Sequence, residues 1–225
     1  MFDPSRLEPE GDVRQPILRV PPATLTLALL LIAAFVAMRL LLTPEEENVF
    51  FARYGFQPAA FLAWLHGEGQ PGPALWPLPT HLVLHYDALH LITNVGFLLA
   101  FASPVERRVG WAWLLVLFLL CGFAGAMAQV WLTFDAAERE TVLIGASGGI
   151  FGLVGATLLL GPPRLGRVSL VRVAVILMVL NVAIGLASEA GYFGGYLIGW
   201  QAHAGGFVMG LLLAWPLRAR ARRSL

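Results

Sequence analysis

The chain has no lysine and a single cysteine, and only 13% of its 225 residues are charged. A lone Cys121 excludes an intramolecular disulfide framework. With 58% hydrophobic residues, so few charges cannot coat a soluble surface. The 15 basic residues, all arginine, and the 14 acidic ones nearly cancel to +1. They crowd between long uncharged stretches, so a nucleic-acid partner is not expected. The composition is that of a membrane protein.

Crossing hydrocarbon takes roughly 20 apolar residues in a helix, and six stretches near that length are present: Ala23 to Leu42, His81 to Ala102, Val109 to Phe134, Ile144 to Leu160, Leu170 to Ala187 and Tyr196 to Leu217. The expected fold is an all-α membrane protein with six transmembrane helices. The first stretch is too long for a signal-peptide core, and the acidic residues Asp3, Glu8, Glu10 and Asp12 argue against a transit peptide. Twelve of the fifteen arginines fall in the N-terminal tail, after helix two, after helix four and in the C-terminal tail. These segments share one side if the helices alternate, so both termini are expected in the cytoplasm. The expected division is a short cytoplasmic tail over 1–22, a six-helix core over 23–217 and a basic cytoplasmic tail over 218–225. Those tails leave no room for a second folded domain.

Residues 43–80 form the one long external connection. Phe50, Phe51, Tyr54, Phe56, Phe61, Trp64 and Trp76 make it too apolar to be a freely solvated loop. It reads either as an interfacial segment or as a packed external cap.

Polar side chains in hydrocarbon need a partner or a reason. Asn181 and Gln129 read as hydrogen bonders between helices. His90, Ser147 and His203 differ, because counting inward from Pro104, Pro162 and Arg218 puts each about 14 to 15 residues from the cytoplasmic boundary. At about 1.5 Å per residue they share one level, roughly 21 to 23 Å up a core of about 30 Å. Asn94 lies one turn deeper than His90 on the same face. Gly148, Gly152 and Gly155 on helix four, and Ala202, Gly206 and Gly210 on helix six, form small-residue stripes that let two helices touch. Docking these stripes would bring the Ser147 hydroxyl to the His203 ring. The run from Ser147 to Leu160 is too short to cross, so helix four is expected to start inside the membrane, with the chain before it dipping in as a loop. Ser147 would then sit at a helix N-terminus, whose unpaired N–H groups and positive dipole end can stabilise an oxyanion.

Three motifs in this order, His90-Leu91-Ile92-Thr93-Asn94, Gly145-Ala146-Ser147-Gly148 and Ala202-His203-Ala204-Gly205-Gly206 with Gly210, resemble the rhomboid family of intramembrane serine proteases. His85, Glu106 and Gly110 also fit the family's pattern, while Trp76-Pro77 departs from the Trp-Arg of many relatives. The resemblance implies a Ser147 nucleophile with His203 as general base, and no third acidic residue. It implies an oxyanion site made by the Ser147 N–H with the side chains of His90 and Asn94, and Phe151 packed on the base. Gly145, Gly148 and His85 would support the site. The implied substrates are single-span membrane proteins cleaved near the outer face, in what is expected to be a bacterial plasma (inner) membrane. The loop from Ser188 to Tyr196 would act as a lid and helix five as a side entrance.

Two rivals are an inactive relative that binds or escorts membrane clients, and a transporter of protons or metal built on His81, His85, His90 and His203. His81 and His85 are four apart, as a ligand pair on one helix would be, yet no third ligand follows and there is no HExxH motif. No metal or other cofactor is expected. Asp87, between His85 and His90, reads as a helix-end contact on the outer rim.

Overall fold

The structure, a computed structural model, describes residues 20–134, 139–161, 167–192 and 197–221. Among them the chain is helical, with one isolated antiparallel bridge between Phe56 and Leu143. Among the described residues four helices are long and apolar enough to cross a membrane: α1 (Pro22–Leu41), α6 (Ala88–Val109), α7 (Trp111–Leu132) and α9 (Arg167–Glu189, apolar from Val168). Two more complete the bundle, the 14-residue α8 (Ser147–Leu160) and α10 (Trp200–Ala221). Of the expected tails over 1–22 and 218–225, residues 1–19 and 222–225 lie outside the described residues, while Pro22 already belongs to α1 and residues 218–221 continue α10.

The long connection is a string of short helices: α2 (Pro44–Tyr54), α3 (Pro58–Leu65), α4 (Pro71–Leu75) and α5 (Pro77–Thr80). A 3-10 turn follows over His81–Val83. Each of α2 to α5 opens on proline, whose fixed φ and missing N–H suit a first helical position. Thr43 and Glu46 add a reciprocal capping box to α2. Phe56, Phe61, Ala74, Ala126 and Val130 bury one another, so the segment packs on α7 as a cap.

Helix two therefore begins later than its hydrophobic run. His81 lies in the 3-10 turn, His85 lies in the coil beyond it, and the helix starts at Ala88 with Asp87 accepting from the His90 N–H at 2.7 Å. It also ends later, because Pro104 does not break it and the stop is Gly110 at φ +85. The charge at Glu106 is no obstacle to a buried helix end, since its carboxylate accepts from Ala23 N (3.0 Å), Thr24 N (2.7 Å) and Thr24 Oγ1 (2.7 Å). That clamp ties the start of α1 to the end of α6. At the other end of α1 the Arg39 guanidinium bonds Glu47 and the Tyr86 carbonyl. The two helices thus run antiparallel.

The core sits where α6, α7, α8 and α10 meet α1, around Leu31, Leu98, Val105, Leu114, Leu117, Ile150, Leu153 and Ala214. The closest packing is between α8 and α10. A Cβ on Gly206 would overlap the Gly148 carbonyl, one on Gly210 the Gly152 carbonyl, and one on Gly155 the Phe207 carbonyl. The two expected stripes dock. A third lies on α7, where Gly125 faces the Ala202 carbonyl and Gly122 faces Leu82. The outer surface is apolar, with Leu29, Leu30, Leu40 and Leu41 exposed on α1 and Val168, Val175, Ile176 and Val179 on α9. Such surfaces suit lipid and not water.

Candidate active site

Six residues before Ser147 the chain enters an extended segment, Thr141 to Ile144, held against the cap by a pair of backbone bonds, Phe56 N–H to Leu143 O (2.9 Å) and Leu143 N–H to Phe56 O (2.8 Å). The Gly145 N–H then donates to the His81 carbonyl at 2.9 Å. Gly145 has φ +124, a conformation closed to most side chains. A Cβ there would also stand 2.8 Å from His90 Nε2. Only glycine lets the chain turn here beside that imidazole, and the turn delivers Ser147 as the first residue of α8.

His90 is the third residue of α6, Ser147 the first of α8 and His203 the fourth of α10. The opening turns of three helices therefore converge, and His90, Asn94, Ser147, Phe151 and His203 line one cavity of about 910 Å³. The shared level was expected from counts to the cytoplasmic ends. Those ends differ, since α6 runs on to Val109, and it is the starts of the three helices that are aligned.

His203 Nε2 lies 2.6 Å from Ser147 Oγ, across the α8–α10 contact. The Phe151 ring stacks on the imidazole, with centroids 4.4 Å apart and planes 5° from parallel. The other ring nitrogen, Nδ1, is bonded to Asn181 Oδ1 on α9. Asn181 Nδ2 in turn donates to the Trp200 carbonyl at 3.1 Å. Asn181 thus does bridge helices, as expected, but the element it bridges to carries the histidine. The lone amide in an apolar stretch was the signal; the identity of its partner was not legible. Gln129 differs from expectation, because its Nε2 donates to Thr133 Oγ1 at 3.0 Å, one turn further along and at the end of its own helix.

Asn94 is buried and donates from Nδ2 to the His90 carbonyl at 3.0 Å, leaving the rest of its amide toward the cavity. His85 is fully buried, neither ring nitrogen has a hydrogen-bond partner among the described residues, and its ring meets His90 at 5.0 Å and 65°. It supports His90 by packing. His81 points elsewhere, its Nδ1 bonded to the Pro77 carbonyl at 2.8 Å. Burial pushes both His81 and His85 down to about 4. His81 and His85 are not a helical pair, and among the described residues no three His, Cys, Asp or Glu side chains are gathered to hold a metal ion. The loop expected as a lid lies partly outside the described residues. In its described part Ser188 Oγ accepts from the Ile198 N–H at 3.0 Å.

Residues 72–220, more than half of the chain, match the family described as the Rhomboid domain. The rhomboid protease GlpG of Pectobacterium atrosepticum is 29% identical over 199 residues, 86% of this chain and 62% of that protein. The rhomboid protease GlpG of Serratia proteamaculans is 30% identical over 203 residues, 89% and 64% of the two chains. RHOMBOID-like protein 1 of Arabidopsis thaliana is 27% identical over 150 residues, 65% of this chain and 35% of that one. The chain spans between about a third and two thirds of the length of these curated relatives. A match over the helices that carry the cavity, joined to four apolar helices of membrane length, leads to one conclusion: this is an integral, multi-pass membrane protein, and it belongs to the rhomboid family.

Proposed function

We propose that the protein is an intramembrane serine endopeptidase that cleaves membrane-anchored proteins near the outer membrane face. The observation that carries this reading is the 2.6 Å contact of Ser147 Oγ with His203 Nε2 at the wall of a cavity inside an apolar helical bundle. His203 Nε2 takes the hydroxyl proton as Oγ attacks the carbonyl carbon, then returns it to the leaving amine. Water, activated by the same nitrogen, releases the acyl group from Ser147. The negative charge on the carbonyl oxygen develops beside the Ser147 N–H and the side chains of His90 and Asn94, where the positive ends of three helix dipoles meet.

A helical peptide bond is shielded by its own turn, so the substrate must unwind before attack. Single-span proteins with small or helix-breaking residues near the outer end of the span suit this requirement. The loop from Ser188 to Tyr196 serves as a lid and α9, the least covered of the four long apolar helices, as the side entrance. Cross-linking α9 to α6 should then block transmembrane substrates and leave a small phosphonate able to reach Ser147; equal loss of both would reject the entrance. Six crossings, cytoplasmic termini and a bacterial inner membrane complete the reading. The antiparallel course of α1 and α6 and the arginine-rich ends away from the cavity support that topology.

The test is purified protein in liposomes with a single-span substrate carrying small residues near its outer end. Cleavage should proceed with a chelator present and without nucleotide, and Ser147→Ala and His203→Ala should each abolish it. Full cleavage by Ser147→Ala would overturn the nucleophile assignment. No cleavage of any such substrate by the unaltered protein, with clients still bound, would mark an inactive escort.

A further inference from the structure

We propose that Asn181 is a third, positioning member of the Ser147–His203 site, selecting the one imidazole tautomer that leaves Nε2 able to accept the serine proton. The proposal rests on the proteolytic reading above and adds a residue to it.

Asn181 is buried, 6% exposed, on a helix whose neighbouring side chains are apolar. An amide in that setting must use its hydrogen-bonding capacity. The Trp200 carbonyl can only accept, so the end of the amide facing it at 3.1 Å is the nitrogen. The end facing His203 is therefore the oxygen, which also can only accept, so Nδ1 carries the ring proton. A neutral imidazole with hydrogen on Nδ1 has a bare Nε2, and Nε2 is the atom 2.6 Å from Ser147 Oγ. A backbone carbonyl thus sets the amide, the amide sets the ring, and the ring is set for the serine. Phe151 holds the plane of the imidazole by stacking, but stacking is indifferent to which edge of the ring faces the serine. Asn181 supplies that choice.

The plainer role for Asn181 is to tie α9 to α10. Other contacts already do so: Ser188 Oγ with the Ile198 N–H, and the Glu189 carboxylate with Trp200 Nε1 at 2.7 Å and Gln201 Nε2 at 3.3 Å.

Two variants, Asn181→Leu and Asn181→Asp, would be compared with the unaltered protein in proteoliposomes. The readouts are the rate at which a fluorophosphonate labels Ser147, kcat and KM on a single-span substrate, and Tm. Asn181→Leu removes the acceptor and should lower both labelling rate and kcat on the order of tenfold to a hundredfold, with KM nearly unchanged. Asn181→Asp keeps an acceptor for Nδ1 and, as the acid, a donor for the Trp200 carbonyl, and should recover most of the rate. Wild-type labelling by Asn181→Leu, or a defect confined to KM and Tm and not rescued by Asp, would overturn the proposal. If Asn181→Leu does not fold, nitrogen NMR of the unaltered protein with labelled histidine decides: His203 should carry its proton on Nδ1, and a proton on Nε2 would sink the assignment. Failure of the proteolytic reading is distinct, since it shows as no labelling or cleavage by the unaltered protein, or as labelling or cleavage that survives Ser147→Ala.

Discussion

At the scale of single residues, the proposed reaction depends on donors aimed where charge would develop. Asn94 is held by its bond to the His90 carbonyl and faces the cavity. If it helps to hold the oxyanion, Asn94→Ala should lower kcat by roughly a hundredfold and leave KM close to unchanged. Steady-state kinetics in liposomes checks this, and a defect confined to KM would move Asn94 to substrate binding. The histidines of the cap make a different prediction, because His81 and His85 fold as neutral rings with values near 4 in place of the ordinary 6.5. Below about 6.5 the unfolded chain takes up protons that the folded cap refuses, so stability is complete above that pH, declines as pH falls toward about 4 and levels off below. Thermal unfolding in micelles between pH 7 and pH 4 should show that decline. His81→Gln should make it shallower without removing it, since His85 contributes the same sign.

Between elements, glycine sets the distance over which Ser147 and His203 can meet. Gly206 lies directly against the Gly148 carbonyl, one residue beyond the serine, so a methyl group there must push α10 from α8. Gly206→Ala is expected to cost about 1 to 3 kcal/mol by overpacking. It should also slow fluorophosphonate labelling, because a shift of even one ångström stretches a 2.6 Å contact beyond useful proton transfer. Gly96, which has open space where a Cβ would go, is the matched control: Gly96→Ala should leave labelling and Tm at wild-type levels. Equal behaviour of the two variants would show that the close approach is not what aligns the pair.

For the molecule as a whole, α1 contributes little to the cavity and is fastened at both ends, by Glu106 at its start and by Arg39 to Glu47 and Tyr86 at its finish. Between those anchors much of its surface is apolar and exposed, as a lipid-facing helix requires. Glu106→Gln keeps the size of the side chain but replaces one carboxylate oxygen with a donor, so either Ala23 or Thr24 loses its acceptor, a change expected to cost about 1.5 to 3 kcal/mol. The expected outcome is a lower Tm in micelles with the Ser147 labelling rate at 25 °C unchanged. A fall in labelling that matched the fall in Tm would mean that α1 supports the site and not merely the bundle.

Much of this molecule could be read from the amino-acid order because hydrocarbon is a demanding solvent. It forces apolar runs of a given length, makes each polar group within them conspicuous, and restricts close helix contacts to small residues, so the bundle, the glycine stripes and the neighbours of Ser147 were visible one residue at a time. Helix ends were less legible: Pro104 and the charges around Glu106 suggested a stop that α6 passes, since the clamp on Glu106 comes from α1, more than 80 residues away. The aromatic connection resolved into a packed cap for a similar reason, its helices being stable only against α7. What tertiary structure alone decided is which polar groups meet beyond the pair of Ser147 and His203. Asn181 and His203 are 22 residues apart and on different helices, and only the rotation and depth of α9 against α10 bring amide to imidazole. Local sequence sets what each helix carries on its faces, whereas the facing of one helix by another is a property of all their packed surfaces together.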